Sequence, residues 1–298
     1  MSQKFFSFLD LSKLQLLALS NNKFFYKSKV VTAKRDYTKD YQLGGQDNYF
    51  INLSRAAYRQ DDKLTERTWK FLFKYSVVAR QIFHKAEEKN KAVNVLDIGC
   101  SKGFLRRVLE SNVRGGEKII YVGTDLSKSK LEEAVFNEDS LESGAEGDKI
   151  PSAYIWHNVA KKLPLKSRSF DFVVCFQMIK YLSKKETIAL LEEIFRVLKN
   201  GGLFFLSTDP VYDKNNYLNF QKKQELEKKG YKSFWSAKDI IEILEQIGFK
   251  ELPIFISALS DKASIEGLYS IFPKEIIDGL LSICYPQAEI ERFFILGK

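Results

Sequence analysis

Val95-Leu96-Asp97-Ile98-Gly99-Cys100-Ser101-Lys102-Gly103-Phe104 passes from an apolar run carrying one carboxylate into a glycine-punctuated turn, and then into a helix-like segment, Phe104 to Asn112. An apolar, β-branched run that stops at such a turn reads as a buried strand. Glycine belongs where the backbone must approach a ligand closely or take a positive φ, and the helix N-terminus just beyond favours an anionic group. The context is that of a nucleotide-type cofactor. Two common versions are excluded: Gly99 and Gly103 stand four apart, so there is no G-x-G-x-x-G fingerprint, and no Gly-Lys-Ser/Thr follows for a P-loop.

Working outward, Tyr121-Val122-Gly123-Thr124-Asp125-Leu126-Ser127 ends a second strand with an acid 22 residues after Gly103. In doubly wound folds a carboxylate about 20 residues on reaches ribose hydroxyls. Asp125 also suits the N-cap of a helix predicted over Leu126 to Asn137. Further strands are predicted at Tyr154 to Trp156, Phe170 to Phe176, Leu203 to Ser207 and Arg292 to Leu296, with helices over Thr65 to Lys89 and Lys185 to Leu198. Strands alternating with helices at this spacing predict an α/β fold with a mostly parallel sheet covered on both faces.

These stretches resemble the class I S-adenosylmethionine (SAM)-dependent methyltransferases, in particular the type 11-like members. Their first motif places an acid before a Gly-x-Gly-x-Gly turn. Ser101 replaces the middle glycine here, a change the turn accommodates if Ser101 keeps an ordinary backbone angle. The block from Trp156 to Leu165, followed by Ser169-Phe170-Asp171-Phe172-Val173-Val174, is similar to the family's acid-x-x-x-x-Leu-Pro-Phe…Ser-Phe-Asp-x-Val. Asn158 stands where an Asp commonly receives the adenine amino group. Val197-Leu198-Lys199-Asn200-Gly201-Gly202-Leu203 resembles the turn before the fifth strand, Ser236 to Phe249 the helix before the sixth, and Phe293 to Lys298 the final strand. The strand-four block, with Ser101-Lys102-Gly103, is also similar to mRNA cap guanine-N7 methyltransferases.

The resemblance implies a Rossmann-like, doubly wound, mostly parallel seven-stranded sheet with helices on both faces. It implies SAM as cofactor, held by Asp97, Gly99, Cys100, Ser101, Gly103, Asp125, Leu126, Asn158, Val159 and Phe176. The reaction implied is an in-line SN2 methyl transfer that proximity alone can accelerate, so no obligate catalytic residue is expected. Candidates for acceptor-side chemistry are His157, beside the cofactor edge, and Lys180 and Tyr181, where many small-molecule enzymes of the family have His. Two aromatic segments fall over the acceptor pocket in the family topology: Tyr37 to Tyr58, and Tyr212 to Trp235. The layout expected is a basic extension and loop over 1–62, then a methyltransferase domain over 63–298 with insertions near 209–234 and 259–286.

Composition narrows the partners. The chain has 298 residues, net charge +9 and three cysteines. The odd, scattered Cys100, Cys175 and Cys284 provide neither a disulfide framework nor a metal knuckle, and His84 and His157 lie 73 residues apart, so no metal site is read. No apolar run approaches the ~18 residues that cross a bilayer. The first 90 residues hold 17 basic and 9 acidic residues, which leaves +8 there and +1 for the other 208. The segment Met1 to Arg35 reads as a Lys-rich helix laid on the domain, as an arm for nucleic-acid or lipid phosphates, or as an organelle transit peptide over 1–35. The expectation is a cytoplasmic enzyme acting on a small-molecule acceptor. An RNA acceptor and an inactive binding or assembly protein remain as alternatives.

Overall fold

The computed structural model describes residues 6–20, 23–29, 66–89, 92–110, 119–136, 150–208, 220–235, 237–251 and 292–298. Among them nine strands form one sheet: β1 (Leu14–Ser20), β2 (Lys23–Ser28), β3 (Val93–Ile98), β4 (Ile119–Asp125), β5 (Ser152–Trp156), β6 (Phe170–Phe176), β7 (Leu198–Thr208), β8 (Lys250–Glu251) and β9 (Arg292–Gly297). Six α-helices accompany them: α1 (Glu66–Lys89), α2 (Phe104–Glu110), α3 (Lys128–Phe136), α4 (Lys184–Val197), α5 (Phe220–Lys228) and α6 (Ala237–Ile247). The strand order is β1-β2-β5-β4-β3-β6-β7-β9-β8.

Strands β2 through β7 pair in parallel, whereas β1, β8 and β9 are antiparallel to their neighbours. From β3 the chain moves first to β4 and β5, then crosses back to β6 and β7 on the other side. That reversal places a crevice beyond the C-terminal ends of the central strands, where doubly wound sheets bind ligands. Residues alternate between the two faces. Leu96, Ile98, Val122, Val173 and Cys175 pack under α4 and α6 on one side. Val95, Tyr121, Tyr154, Phe172 and Val174 pack under α1, α2 and α3 on the other. Helix α4 starts where Ser183 and Glu186 cap each other reciprocally, Glu186 N donating to Ser183 Oγ and Ser183 N to Glu186 Oε2.

The seven-stranded unit expected from sequence is the run from β5 to β8, and two further strands correct the count. The described part of the N-terminal segment forms a β-hairpin rather than a surface helix, with Lys23 and Lys27 on its second strand, which pairs in parallel with β5 from Lys23↔Ser152 to Lys27↔Trp156. The lysines obscured an alternation of Phe and Leu that the sheet uses as core: Phe6, Phe8, Leu9, Leu14, Phe24 and Phe25 are all buried. Phe6 and Phe24 meet edge to face at 5.3 Å, and Phe8 packs on Phe170 at 4.9 Å. A leader cleaved at residue 35 would therefore remove two strands of the sheet. The strand predicted at Leu203 begins earlier, at Leu198, and takes Gly201 (φ +70°) within its span. The loop over 37–62, the insertion near 259–286 and Cys284 lie outside the described residues.

Phe25, 2% exposed, anchors β2 against the α1–α3 side. Phe25→Ala is expected to lower unfolding free energy by about 3–5 kcal/mol. Leu19→Ala, at a side chain 58% exposed, should change it by less than about 0.5 kcal/mol. Urea denaturation followed by far-UV circular dichroism measures both, and equal effects would refute the hairpin's place in the core.

Candidate cofactor and acceptor site

The turn after β3 is built from three left-handed residues in alternation, Gly99 (φ +75°), Ser101 (φ +50°) and Gly103 (φ +72°). Ser101 thus does not keep an ordinary backbone angle; it adopts the conformation of the glycine it replaces. The strain of a non-glycine residue in that region, of order 1 kcal/mol, is offset by a hydrogen bond: Ser101 N donates to Asp125 Oδ2 at 2.9 Å. Gly99 N and Cys100 N both donate to Thr124 O, at 2.8 and 3.1 Å. A Cβ on Gly103 would lie 2.5 Å from Tyr154 Oη, and one on Gly99 2.9 Å from Met178 Cγ. Both positions need glycine for space as well as for φ.

Asp125, at the end of β4, also accepts from Ser127 N through Oδ1 at 2.8 Å. Its half-buried carboxylate thus ties the β3 turn to the start of α3 and stands in register with Trp156 on β5. Burial raises its pKa, while the amides of Ser127 and Ser101 pull it down. Leu126 O receives Trp156 Nε1 at 3.0 Å. Asn158 follows β5; its Oδ1 accepts Ala160 N at 3.0 Å and forms an Asx turn. Val159 is buried beside it.

Asp97 lies beneath the turn, 4% exposed, and accepts a 2.7 Å hydrogen bond from Tyr121 Oη. Burial pushes its pKa up to about 7 against the pull of the tyrosine, and the neighbouring Asp125 raises it further. The same burial raises the Cys100 thiol, whose Sγ fits only because residue 123 is glycine; a Cβ there would be 2.6 Å away. Tyr121 and Gly123 shape this region, Tyr121 through its bond to Asp97 and Gly123 by leaving room for Cys100, and the sequence reading did not single them out. Nothing in a single sequence shows that Tyr121 reaches across to Asp97, because the register Asp97↔Gly123 is a property of the folded sheet.

On the acceptor side, β6 ends at Phe176, and Gln177 turns the chain with φ +57°. Phe176 stacks edge-on with Tyr75 of α1 at 5.2 Å, and the buried Lys74 ammonium sits 5.3 Å above it and 3.4 Å from Ser207 Oγ. Lys180 Nζ donates to Gln177 Oε1 at 2.8 Å and lies 4.8 Å over Tyr231 and 5.4 Å over Tyr181. Tyr181 and Tyr231 meet at 5.6 Å, and Tyr231 stacks on Phe234 at 6.3 Å. Ser233 Oγ donates to Ile179 O at 3.2 Å and pins residues 231–235 to the rim. Lys180 and Tyr181 thus belong to one aromatic rim. His157 does not join them. Its ring is fully buried, Nε2 faces Lys161 O at 3.3 Å, and burial lowers its pKa to about 4, so it stays neutral inside the core.

The raised Asp97 pKa makes the apoprotein's stability pH-dependent, and the sign follows from proton linkage. Between the ordinary Asp value near 3.8 and about 7, the folded state holds a proton that the unfolded chain has lost. Stability therefore falls as pH rises through that window, by up to about 1.4 kcal/mol per pH unit from this group. Asp97→Asn, which keeps an acceptor for Tyr121, should flatten the slope and gain on wild type at pH 8. Denaturant titrations at several pH values check it, and parallel curves for the two proteins would refute it.

The cradle suits an adenosyl cofactor in its parts: a left-handed glycine turn without side-chain bulk, a carboxylate at the next strand end, and a polar amide beyond the third. Residues 96–206 match the family model described as a methyltransferase domain. The chain is 27% identical to mouse (Mus musculus) arsenite methyltransferase over 71% of its own length and 53% of that protein. It is 25% identical to a probable S-adenosylmethionine-dependent methyltransferase of Mycolicibacterium smegmatis, over 70% of each. It spans about half the length of the first curated relatives it matches. The fold is shared with Haemonchus contortus phosphoethanolamine N-methyltransferase 2 in complex with S-adenosyl-L-methionine, at a TM-score of 0.52 and 19% identity, over 91% of this chain and 61% of that one. Sheet topology, the ordered motifs and these matches together support a class I SAM-dependent methyltransferase domain around residues 96–206, with SAM as its cofactor.

Proposed function

We propose that the protein transfers a methyl group from SAM to a small-molecule acceptor bound beyond the C-terminal ends of β6 and β7. The observation that carries this reading is the rim itself. Two aromatic groups follow β6, Phe176 against Tyr75 and Tyr181 against Tyr231 and Phe234, a composition suited to a compact ligand. An extended nucleic-acid strand would call for exposed cations along a groove. Lys102 and Lys180 are engaged within the protein, Lys102 with Glu133 at 2.6 Å and Lys180 with Gln177 and the tyrosines.

In this reading Gly99, Ser101 and Gly103 would admit the cofactor against bare backbone, Asp125 would take the ribose hydroxyls, and Asn158 and Val159 would border the adenine. SAM, when bound, supplies an electrophilic methyl group. The chain's task is then to orient the acceptor in line and exclude water, effects worth about 7–11 kcal/mol in favourable systems. Of the titratable candidates named from sequence, Lys180 and Tyr181 stand at the rim, and His157 is enclosed. Where the acceptor carries a proton, Tyr181 is the candidate to manage it.

Calorimetric titration of S-adenosylhomocysteine, followed by a screen of small acceptors with methyl-labelled SAM, tests the proposal. Asp125→Ala should weaken binding by about 10- to 100-fold, the worth of one or two charge-assisted hydrogen bonds. Tyr231→Ala should leave that affinity unchanged and raise KM for whichever acceptor is found. Failure of a well-folded protein to bind the cofactor would favour the inactive assembly protein, and labelling of RNA alone would overturn the small-molecule reading.

A further inference from the structure

The outer edge of the sheet carries a surface that the transferase reading does not use. Among the described residues strand β1 ends the sheet at one side, and its seven residues, Leu-Gln-Leu-Leu-Ala-Leu-Ser, include no charge, glycine or proline. Edge strands are ordinarily protected by such residues. Leu16, Leu17 and Leu19 are 52%, 38% and 58% exposed, and Leu11, just before the strand, is 46% exposed. A bulge between Leu16 and Ala18 breaks the alternation. Leu16 and Leu19, three apart in sequence, are thereby opposite Tyr26 and Phe24 on one face, and Leu17 is left over at the bulge. The leucines form an apolar crest along the edge of the molecule.

The crest is bordered by positive charge. Lys29 is exposed and Lys27 half-buried on β2 and just after it, and Lys13 precedes β1, ion-paired to Asp10. Lys29 N bonds Lys13 O, so the two lysines share the open end of the hairpin. Lys27 pairs in register with Trp156, where Lys128 also brings its ammonium within 5.9 Å of the ring. Acidic groups near this border are Asp10 and Glu132, each paired with one of these lysines. In the whole segment Met1 to Arg35 seven basic residues face a single acid.

We propose that this hairpin edge docks on an anionic lipid surface, with the leucine crest in the headgroup region and the lysines against lipid phosphates. Charge decides between the occupants. A second copy would bring the same basic borders together, and a nucleic acid has no use for bare leucines. An anionic bilayer matches both features, as interfacial anchors do when apolar side chains combine with nearby lysines. Insertion stops at the hydrated interface, because the open backbone edge of β1 cannot enter hydrocarbon unsatisfied. Among the described residues no helix is long and apolar enough to cross a membrane.

Flotation of the full chain with phosphatidylcholine vesicles, with and without phosphatidylglycerol, tests the proposal. The protein should float with the anionic vesicles, release at high salt, and partition at least about tenfold less as Leu16→Gln/Leu19→Gln. Lys27→Gln/Lys29→Gln should weaken anionic binding alone. Unchanged cofactor affinity in both variants shows that they fold. No flotation with either vesicle, or flotation indifferent to the leucine variant, overturns the proposal. A dimer lost in the leucine variant without vesicle binding assigns the edge to a second copy, and lysine-dependent, leucine-independent RNA binding assigns it to nucleic acid.

Discussion

The hydrogen bond from Ser101 N to Asp125 Oδ2 is the constraint on which the site depends. The β3 turn must expose backbone to a ligand, so it takes three left-handed residues in five positions, a shape with little intrinsic stability. Asp125 holds the middle of that turn, Thr124 O holds its beginning, and the parallel pairing of β3 with β4 brings both partners into place. The same carboxylate holds Ser127 N and so sets the entry to α3. One side chain thereby joins the turn, the second strand and the helix beyond it. In the proposed function a cofactor at Asp125 would meet a group already oriented by the fold, which lowers the ordering cost of association.

Beneath this arrangement the protein buries a second carboxylate close to the first. Burial and the neighbouring Asp125 raise the pKa of Asp97 to about 7, and Tyr121 Oη donates a hydrogen bond to it. A buried anion with so little solvation is costly, and a hydrophobic residue of similar size would make a more stable strand. Retaining an acid that destabilises the apoprotein above neutral pH fits a site whose stability is exchanged for ligand recognition. Gly123 follows the same logic at the packing level. It gives up side-chain burial in a central strand so that Cys100 can sit behind the turn.

The core of the fold was legible because its signals are local. The strand–turn–helix at Val95 to Phe104, the acid at Asp125 and the amphipathic α4 each announce themselves within a dozen residues, and the order of motifs settles the topology. What stayed hidden was non-local or disguised. The hairpin Leu14–Ser28 was masked by its lysines: a basic, leucine-rich segment resembles a surface helix, and only pairing with β5 reveals that Phe24 and Phe25 alternate across a sheet. Ser101 could be judged only by its φ angle. Tyr121, Lys74 and Gln177 acquire their roles from register and from a helix crossing, neither of which a single sequence encodes. His157 shows the opposite error, since proximity in sequence to Asn158 suggested a site role and the pleat points the ring into the core.

The rim beyond β6 shows how a shared scaffold acquires its own chemistry. Gln177 adopts a left-handed angle at the strand end and accepts a hydrogen bond from Lys180 Nζ three residues on. Residues 231–235 come from a distant part of the chain and are held there by backbone bonds to Lys180 O and by Ser233 Oγ on Ile179 O. The aromatic faces of Tyr181 and Tyr231 already accommodate one ammonium, that of Lys180, at cation–π distance. An acceptor entering this rim must share or displace that ammonium. In the proposed function the glycine turn serves the cofactor, so the choice of acceptor would fall to the few side chains that surround Lys180.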